Sequence, residues 1–123
     1  AFTLASGKKY AGIIFSYQAD MFYKPGQATE ADSGYRDTLK ALSKQSQEFR
    51  KPVLLIHGDS HRLIIDQPLR TVDQKYILEN VLRVQVMGAE QVQAIEIQVN
   101  PTVVEPFSFT PILIRENMNA TKD

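Results

Sequence analysis

Cysteine is absent from the 123 residues of this chain, which excludes disulfide bonds and thiolate-bound metal. An excess of either charge is absent as well, because fourteen basic residues balance fourteen acidic ones. A neutral chain gives no electrostatic basis for general binding to nucleic acid or to an anionic membrane surface. No stretch is long and apolar enough to span a bilayer, and no secretory h-region is found. Internal repeats and low-complexity segments are missing too. What is present is a hydrophobic fraction of 43%, ordinary for a globular protein. The length suits one domain, residues 1–123, with a core of its own.

Histidine is scarce, and its placement is informative. The chain has two, and both fall within His57-Gly58-Asp59-Ser60-His61. The apolar run Val53 to Ile56, bounded by Pro52 and Gly58, reads as a buried strand that stops at this cluster. Gly58 permits a sharp turn there. Two imidazoles and a carboxylate are thus gathered at a strand end, where binding residues often sit in α/β sheets.

In order, Phe2 and Ala5 have helical spacing and Gly7 follows as a stop, which predicts the last turns of a helix. Tyr10 to Tyr17 predicts a strand buried on both faces at Ile13-Ile14-Phe15. A polar loop from Tyr23 to Asp32 carries the turn signal Pro25-Gly26. Asp32 or Ser33 is suited to cap a helix over 34–50, with Tyr35, Leu39, Leu42 and Phe49 on one face. Strand, loop, helix, strand predicts a right-handed βαβ crossover with the first two strands parallel.

Leu63-Ile64-Ile65 is a short apolar run closed by Asp66-Gln67-Pro68, and a polar loop over 71–80 has Tyr76 and Ile77 as anchors. Leu82, Val84 and Val86 alternate with Arg83, Gln85 and Met87, predicting a half-exposed strand that ends at Gly88. A turn at Ala89-Glu90-Gln91 leads to a strand with its apolar face on Ile95, Ile97 and Val99, and the two are expected to pair as an antiparallel hairpin. Phe107 and Phe109 belong to a last strand interrupted by Pro111, which suits an edge, and 115–123 is a polar tail. The fold class is mixed α/β, a parallel βαβ unit followed by antiparallel strands. One full helix and a stub are too few to cover parallel strands on both faces. The chain is therefore expected to be the C-terminal part of a larger domain, completed by an N-terminal companion segment or by a homo-oligomer.

Two groups of residues bear on chemistry. Imidazole with carboxylate suits Zn, Mn or Fe, and alternate residues such as Asp59 and His61 can face one ion in an extended backbone. His57, within the strand end, need not point the same way. The plainer reading is a capping turn with ordinary hydrogen bonds. Gln18-Ala19-Asp20, at the end of the first strand, lies beside Gly58-Asp59 by the βαβ argument. Gln18 offers an amide oxygen and Asp20 a carboxylate, the plainer reading being that Asp20 caps a turn.

Ile56-His57-Gly58-Asp59-Ser60-His61 resembles the last metal-binding motif of the calcineurin-like metallophosphoesterases, Gly-His-x-His after an apolar strand. The strand ending in Gln18-Ala19-Asp20-Met21-Phe22, the helix, Lys51 to His61, Asp66-Gln-Pro-Leu69 and the closing β hairpin resemble the C-terminal half of a bacterial branch of that family, in the same order. The resemblance implies a partial β-sandwich flanked by helices. It implies two divalent metals bridged by a carboxylate and a hydroxide that attacks a phosphate ester in line. By the same resemblance His61 matches the second histidine of the motif and would ligate one metal. Asp59 stands at the first histidine, and Gln18 stands where the preceding motif supplies a histidine. These departures exchange imidazole for oxygen and favour a harder ion such as Mn or Mg, or no ion. Arg62 is a candidate contact for an anionic substrate, or a surface residue. The family's earlier motifs, Asp-x-His, Gly-Asp-x-x-Asp and Gly-Asn-His-Asp/Glu, are not in this chain, so catalysis by the chain alone is not expected. The alternative is a metallophosphoesterase-like interaction module that has lost its metal ligands.

Overall fold

Val53, Leu54 and Leu55 are each 0% exposed in the computed structural model, which describes residues 1–22, 34–88 and 93–118. A run of that character is satisfied by a strand with neighbours on both edges and cover on both faces. These residues belong to β2 (Val53–His57). β1 (Ile13–Ser16) and β4 (Val81–Gln85) pair with it on either side, both parallel, as expected for the first pair. β3 (Ile64–Asp66) pairs antiparallel with β4, giving the order β1-β2-β4-β3.

One face of this sheet is covered by helices. The register aligns Ile13 with Val53 and Val53 with Val81, and a row of Phe15 and Leu55 lies beside it. Onto these rows pack Ala5 and Phe2 of α1 (Phe2–Gly7) and the buried stripe Leu39, Ser43, Ser46 and Phe49 of α2 (Arg36–Phe49). The Phe2 ring lies 5.5 Å from Phe15 and 5.6 Å from Phe49, so α1 bridges strand and helix. Each fully buried Leu or Phe contributes about 1.5–3 kcal/mol. Arg50, in the left-handed region at φ 57°, closes α2 with its N–H on the Ser46 carbonyl. The Asn80 side-chain amide donates to the carbonyls of Ser46 (3.0 Å) and Lys51 (2.9 Å), so the residue before β4 fastens the end of the helix.

The opposite face is covered only at its centre. Leu54 and Val84 are 0% exposed, whereas Ile14 is 49% and Ile65 is 42% exposed at the margins. β5 (Ala94–Val99) and β6 (Phe107–Ile112) form a separate antiparallel pair, with Ile97 opposite Phe109 and Ile95 opposite Pro111. The Asn100 side chain accepts from the Thr102 amide and hydroxyl and so shapes their connection. Among the described residues no helix is long and apolar enough to cross a membrane.

Several expectations are corrected. β4 does not pair with β5; it is an interior strand parallel to β2. The alternation Leu82/Arg83/Val84/Gln85 suggested one wet face, but Arg83 and Gln85 are buried, each with a polar partner that makes burial tolerable. β1 is not buried on both faces, because it is the edge strand and Ile14 is open. Tyr35 is 41% exposed and precedes the helix, and the buried stripe of α2 is completed by Ser43 and Ser46 instead. The helix α1 does stop at Gly7 as expected, and the positive φ of the turn that follows falls on Lys9 (57°). The expected tail begins with a helical turn, α3 (Arg115–Met118). The loop signal Pro25-Gly26, the caps Asp32 and Ser33, and the turn Ala89-Glu90-Gln91 lie outside the described residues.

Candidate functional site

The C-terminal ends of the three parallel strands β1, β2 and β4 open on one side of the sheet, and there a cleft of about 460 Å³ forms. Gln18 reaches it from beyond β1, Asp59 and His61 from beyond β2, and Met87 and Gly88 from beyond β4. The expected neighbourhood of Gln18 and Gly58 is real: the Gln18 amide nitrogen lies 3.6 Å from where a Cβ on Gly58 would sit. The sharp conformation, however, does not fall on Gly58. Asp59 (φ 76°) and His61 (φ 58°) both occupy the left-handed region, which costs an L-residue about 1–2 kcal/mol. Aspartate tolerates that region better than most residues, and strain of this kind gathers at binding loops.

Asp20 organises the cleft from behind. Its Oδ1 accepts the Phe22 amide at 3.1 Å, closing a turn on itself, and its Oδ2 accepts the Ser60 hydroxyl. The Asp20 amide in turn donates to Asp59 Oδ2 at 3.5 Å. The loops after β1 and β2 are thus tied by a reciprocal pair of contacts, with Asp20 as clamp and Asp59, on the solvent side, as the exposed carboxylate.

The two histidines separate. His61 is exposed in the cleft, whereas His57 is 1% exposed beneath it. The His57 ring stacks on Tyr17 at 5.3 Å and 10°, with Phe22 at 5.6 Å. Its Nδ1 is 3.1 Å from the Gly58 carbonyl oxygen, which can only accept, so Nδ1 carries the proton and Nε2 is left without a partner. Burial lowers the His57 pKa, against the opposing pull of the Gly58 carbonyl and Asp20. His57 is therefore a neutral ring supporting the cleft. Arg62 does not line the cleft; its side chain is exposed and its carbonyl accepts the Gln85 amide at 3.0 Å.

Residues not singled out in the sequence also lie under the site. Arg83 forms a two-pronged ion pair with Asp66, Nε to Oδ1 at 2.7 Å and Nη2 to Oδ2, and its guanidinium lies 4.7 Å over the Phe22 ring. Tyr17 Oη and Gln85 Oε1 are buried without partners, as is His57 Nε2. Burial pushes the Tyr17 pKa up to about 12, with Arg83 opposing and Asp20 adding. No local motif signals the Arg83–Asp66 pair, which depends on the β3/β4 register.

The donors in the cleft are the Asp59 carboxylate, the His61 imidazole and the Gln18 side-chain amide, while a second amide, Gln93, is engaged with the Ile114 backbone. The first three suit a divalent ion of intermediate hardness but fill only part of a shell. Among the described residues no three His, Asp or Glu side chains come together to hold a metal. Comparison with family models, with curated proteins and with solved structures finds no match to this chain.

Proposed function

We propose that this chain is the C-terminal segment of a metal-dependent phosphoesterase of the calcineurin-like type, acting on phosphate esters. The observation that carries the reading is the meeting of Gln18, Asp59 and His61 at one cleft, from strands far apart in sequence. These are the positions where the resemblance puts metal ligands. A divalent ion held there would polarise a phosphoryl oxygen of the substrate. Asp59 and His61 bind and orient, Gln18 completes the near side, and Asp20 holds Asp59 and Ser60 in place through its backbone and side chain. His57 keeps the inner wall neutral and dry. The remaining ligands would come from an N-terminal companion segment, which would also cover the open margins of the second sheet face at Ile14 and Ile65.

The test is a calorimetric titration of Mn²⁺ into the chain beside His61→Ala and Asp59→Ala. Weak binding that both substitutions abolish is the expected result, with no turnover of a phosphodiester by the chain alone. Binding that survives both substitutions would refute the site. Absence of any binding, with or without the companion segment, would favour an interaction module over an enzyme.

A further inference from the structure

We propose that a second cleft, away from the strand ends, binds an organic phosphate of nucleotide size: an anionic head group joined to an apolar or aromatic body. The cleft has a volume of about 700 Å³ and lies between one flank of α2, from its exposed cations to the margin of its buried stripe, and the segment that follows β3. That volume is in the range of small-molecule sites. Arg36, Lys40 and Lys44 line it from α2, at successive i, i+4 positions on one stripe, and Arg70 faces them from the opposite wall. Like charges at that spacing destabilise a helix, and a bound anion offsets their repulsion.

Among the described residues no carboxylate lines this cleft. Two acids flank the cleft in sequence, and one of them partly offsets the Arg36 charge. Asp37 sits 3.8 Å from Arg36 Nε with its side chain 93% exposed. Asp73 accepts the Thr71 hydroxyl at 2.5 Å and the Lys75 amide at 3.2 Å, and these bonds hold its carboxyl below the usual range. In a chain of zero net charge, four cations around one concavity are a local asymmetry that attracts anions.

The base of the cleft selects among anions. Leu39 (8% exposed), Leu69 (5%) and Ser43 (6%) form it, so a nearly buried hydroxyl lies between apolar walls. Inorganic phosphate would reach the cations but leave this surface unused. A ring or short apolar body would cover it while guanidinium groups grip the phosphate, for which Arg is the better-shaped partner.

The experiment is titration of ATP into the full chain in EDTA at low salt, with adenosine and inorganic phosphate in parallel. EDTA removes any contribution from the strand-end cleft. ATP is expected to bind at least tenfold more tightly than either part, and Lys40→Gln with Arg70→Gln is expected to weaken it about tenfold or more, the scale of a lost charged hydrogen bond. Lys40→Arg should retain binding, and so should His61→Ala, which separates this site from the proposed metal site. Melting temperatures of the variants check that the fold is intact. Undetectable ATP binding, binding indifferent to the double substitution, or inorganic phosphate binding as tightly as ATP would each overturn the proposal.

Discussion

His61 lies directly against the backbone of Gly88: a Cβ placed on Gly88 would fall 2.0 Å from His61 Cγ and 2.5 Å from its Cβ. The absence of a side chain at the end of one strand's extension therefore sets the position of an imidazole on the next. Because the clash includes His61 Cβ, turning the ring cannot relieve it, and the loop itself must move. Gly88→Ala should cost about 1–3 kcal/mol, the range for overpacking a fitted site. It should also displace His61. Denaturant unfolding and the His61 NMR resonances read the two effects, and an unchanged midpoint with unmoved resonances would contradict the packing described.

The Arg83–Asp66 pair makes an asymmetric prediction. Arg83 is buried, with its side chain 11% exposed, while the Asp66 side chain is 40% exposed. Removing the carboxylate leaves a buried guanidinium over the Phe22 ring without its ion-pair partner. Breaking a fully buried pair costs about 3–5 kcal/mol. The exposure of Asp66 reduces this, so Asp66→Ala should cost about 2–3 kcal/mol. Arg83→Met should cost less, because it removes the charge instead of stranding it. A double-mutant cycle with a coupling below about 0.5 kcal/mol would show that the pair contributes little.

The buried rings of His57 and Tyr17 each contribute to the pH dependence of stability. His57 has its folded pKa lowered by burial, so the unfolded chain binds the proton more readily. Its contribution is intact above an unfolded pKa of about 6.5 and is lost as pH falls from there through the folded value. Tyr17 has the reverse sense. With its folded pKa raised to about 12, its contribution is intact below an unfolded value of about 10 and is lost as pH rises from there through about 12. In EDTA, His57→Phe should flatten the acid limb and Tyr17→Phe the alkaline limb of unfolding free energy against pH. A limb that keeps its slope in the matching variant would assign it to other groups.

The same residues explain what was legible in the sequence. The apolar block Val53–Ile56 announced β2, and the strand–helix–strand order gave its parallel pairing with β1, because hydrophobic runs and connection rules act locally. Gln18 beside Gly58 followed from that pairing. The place of β4 did not follow. Arg83 and Gln85 look like solvent-facing residues until Asp66 and the Arg62 carbonyl are brought to them by non-local pairing. The plainer reading of Asp20 as a turn cap holds, since its Oδ1 accepts the Phe22 amide, but its grip on Ser60 crosses from one strand end to another. Strand alternation would put His57 and His61, four residues apart, on one side; they separate because β2 ends at His57 and the backbone turns left-handed at Asp59 and His61. The extent of the separation depends on Tyr17 and Phe22, which no motif connects to His57.

That grip gives the last prediction. Asp20 joins the loops after β1 and β2 through the Ser60 hydroxyl, while its own amide reaches Asp59. Asp20→Ala deletes the carboxylate that the Phe22 amide and Ser60 hydroxyl share, and should cost about 1–2 kcal/mol, the scale of a lost turn or cap interaction. Ser60→Ala removes one of the two contacts and should cost less. Loss should be local as well as global: amide exchange at Phe22 should accelerate in Asp20→Ala and change little in Ser60→Ala, because only the first removes its acceptor. If Mn²⁺ binds the cleft, both variants should weaken it several-fold without touching a donor, since Asp59 and His61 would no longer be held in their left-handed conformations. Equal exchange rates at Phe22 in the two variants would mean that Asp20 does not act as the clamp.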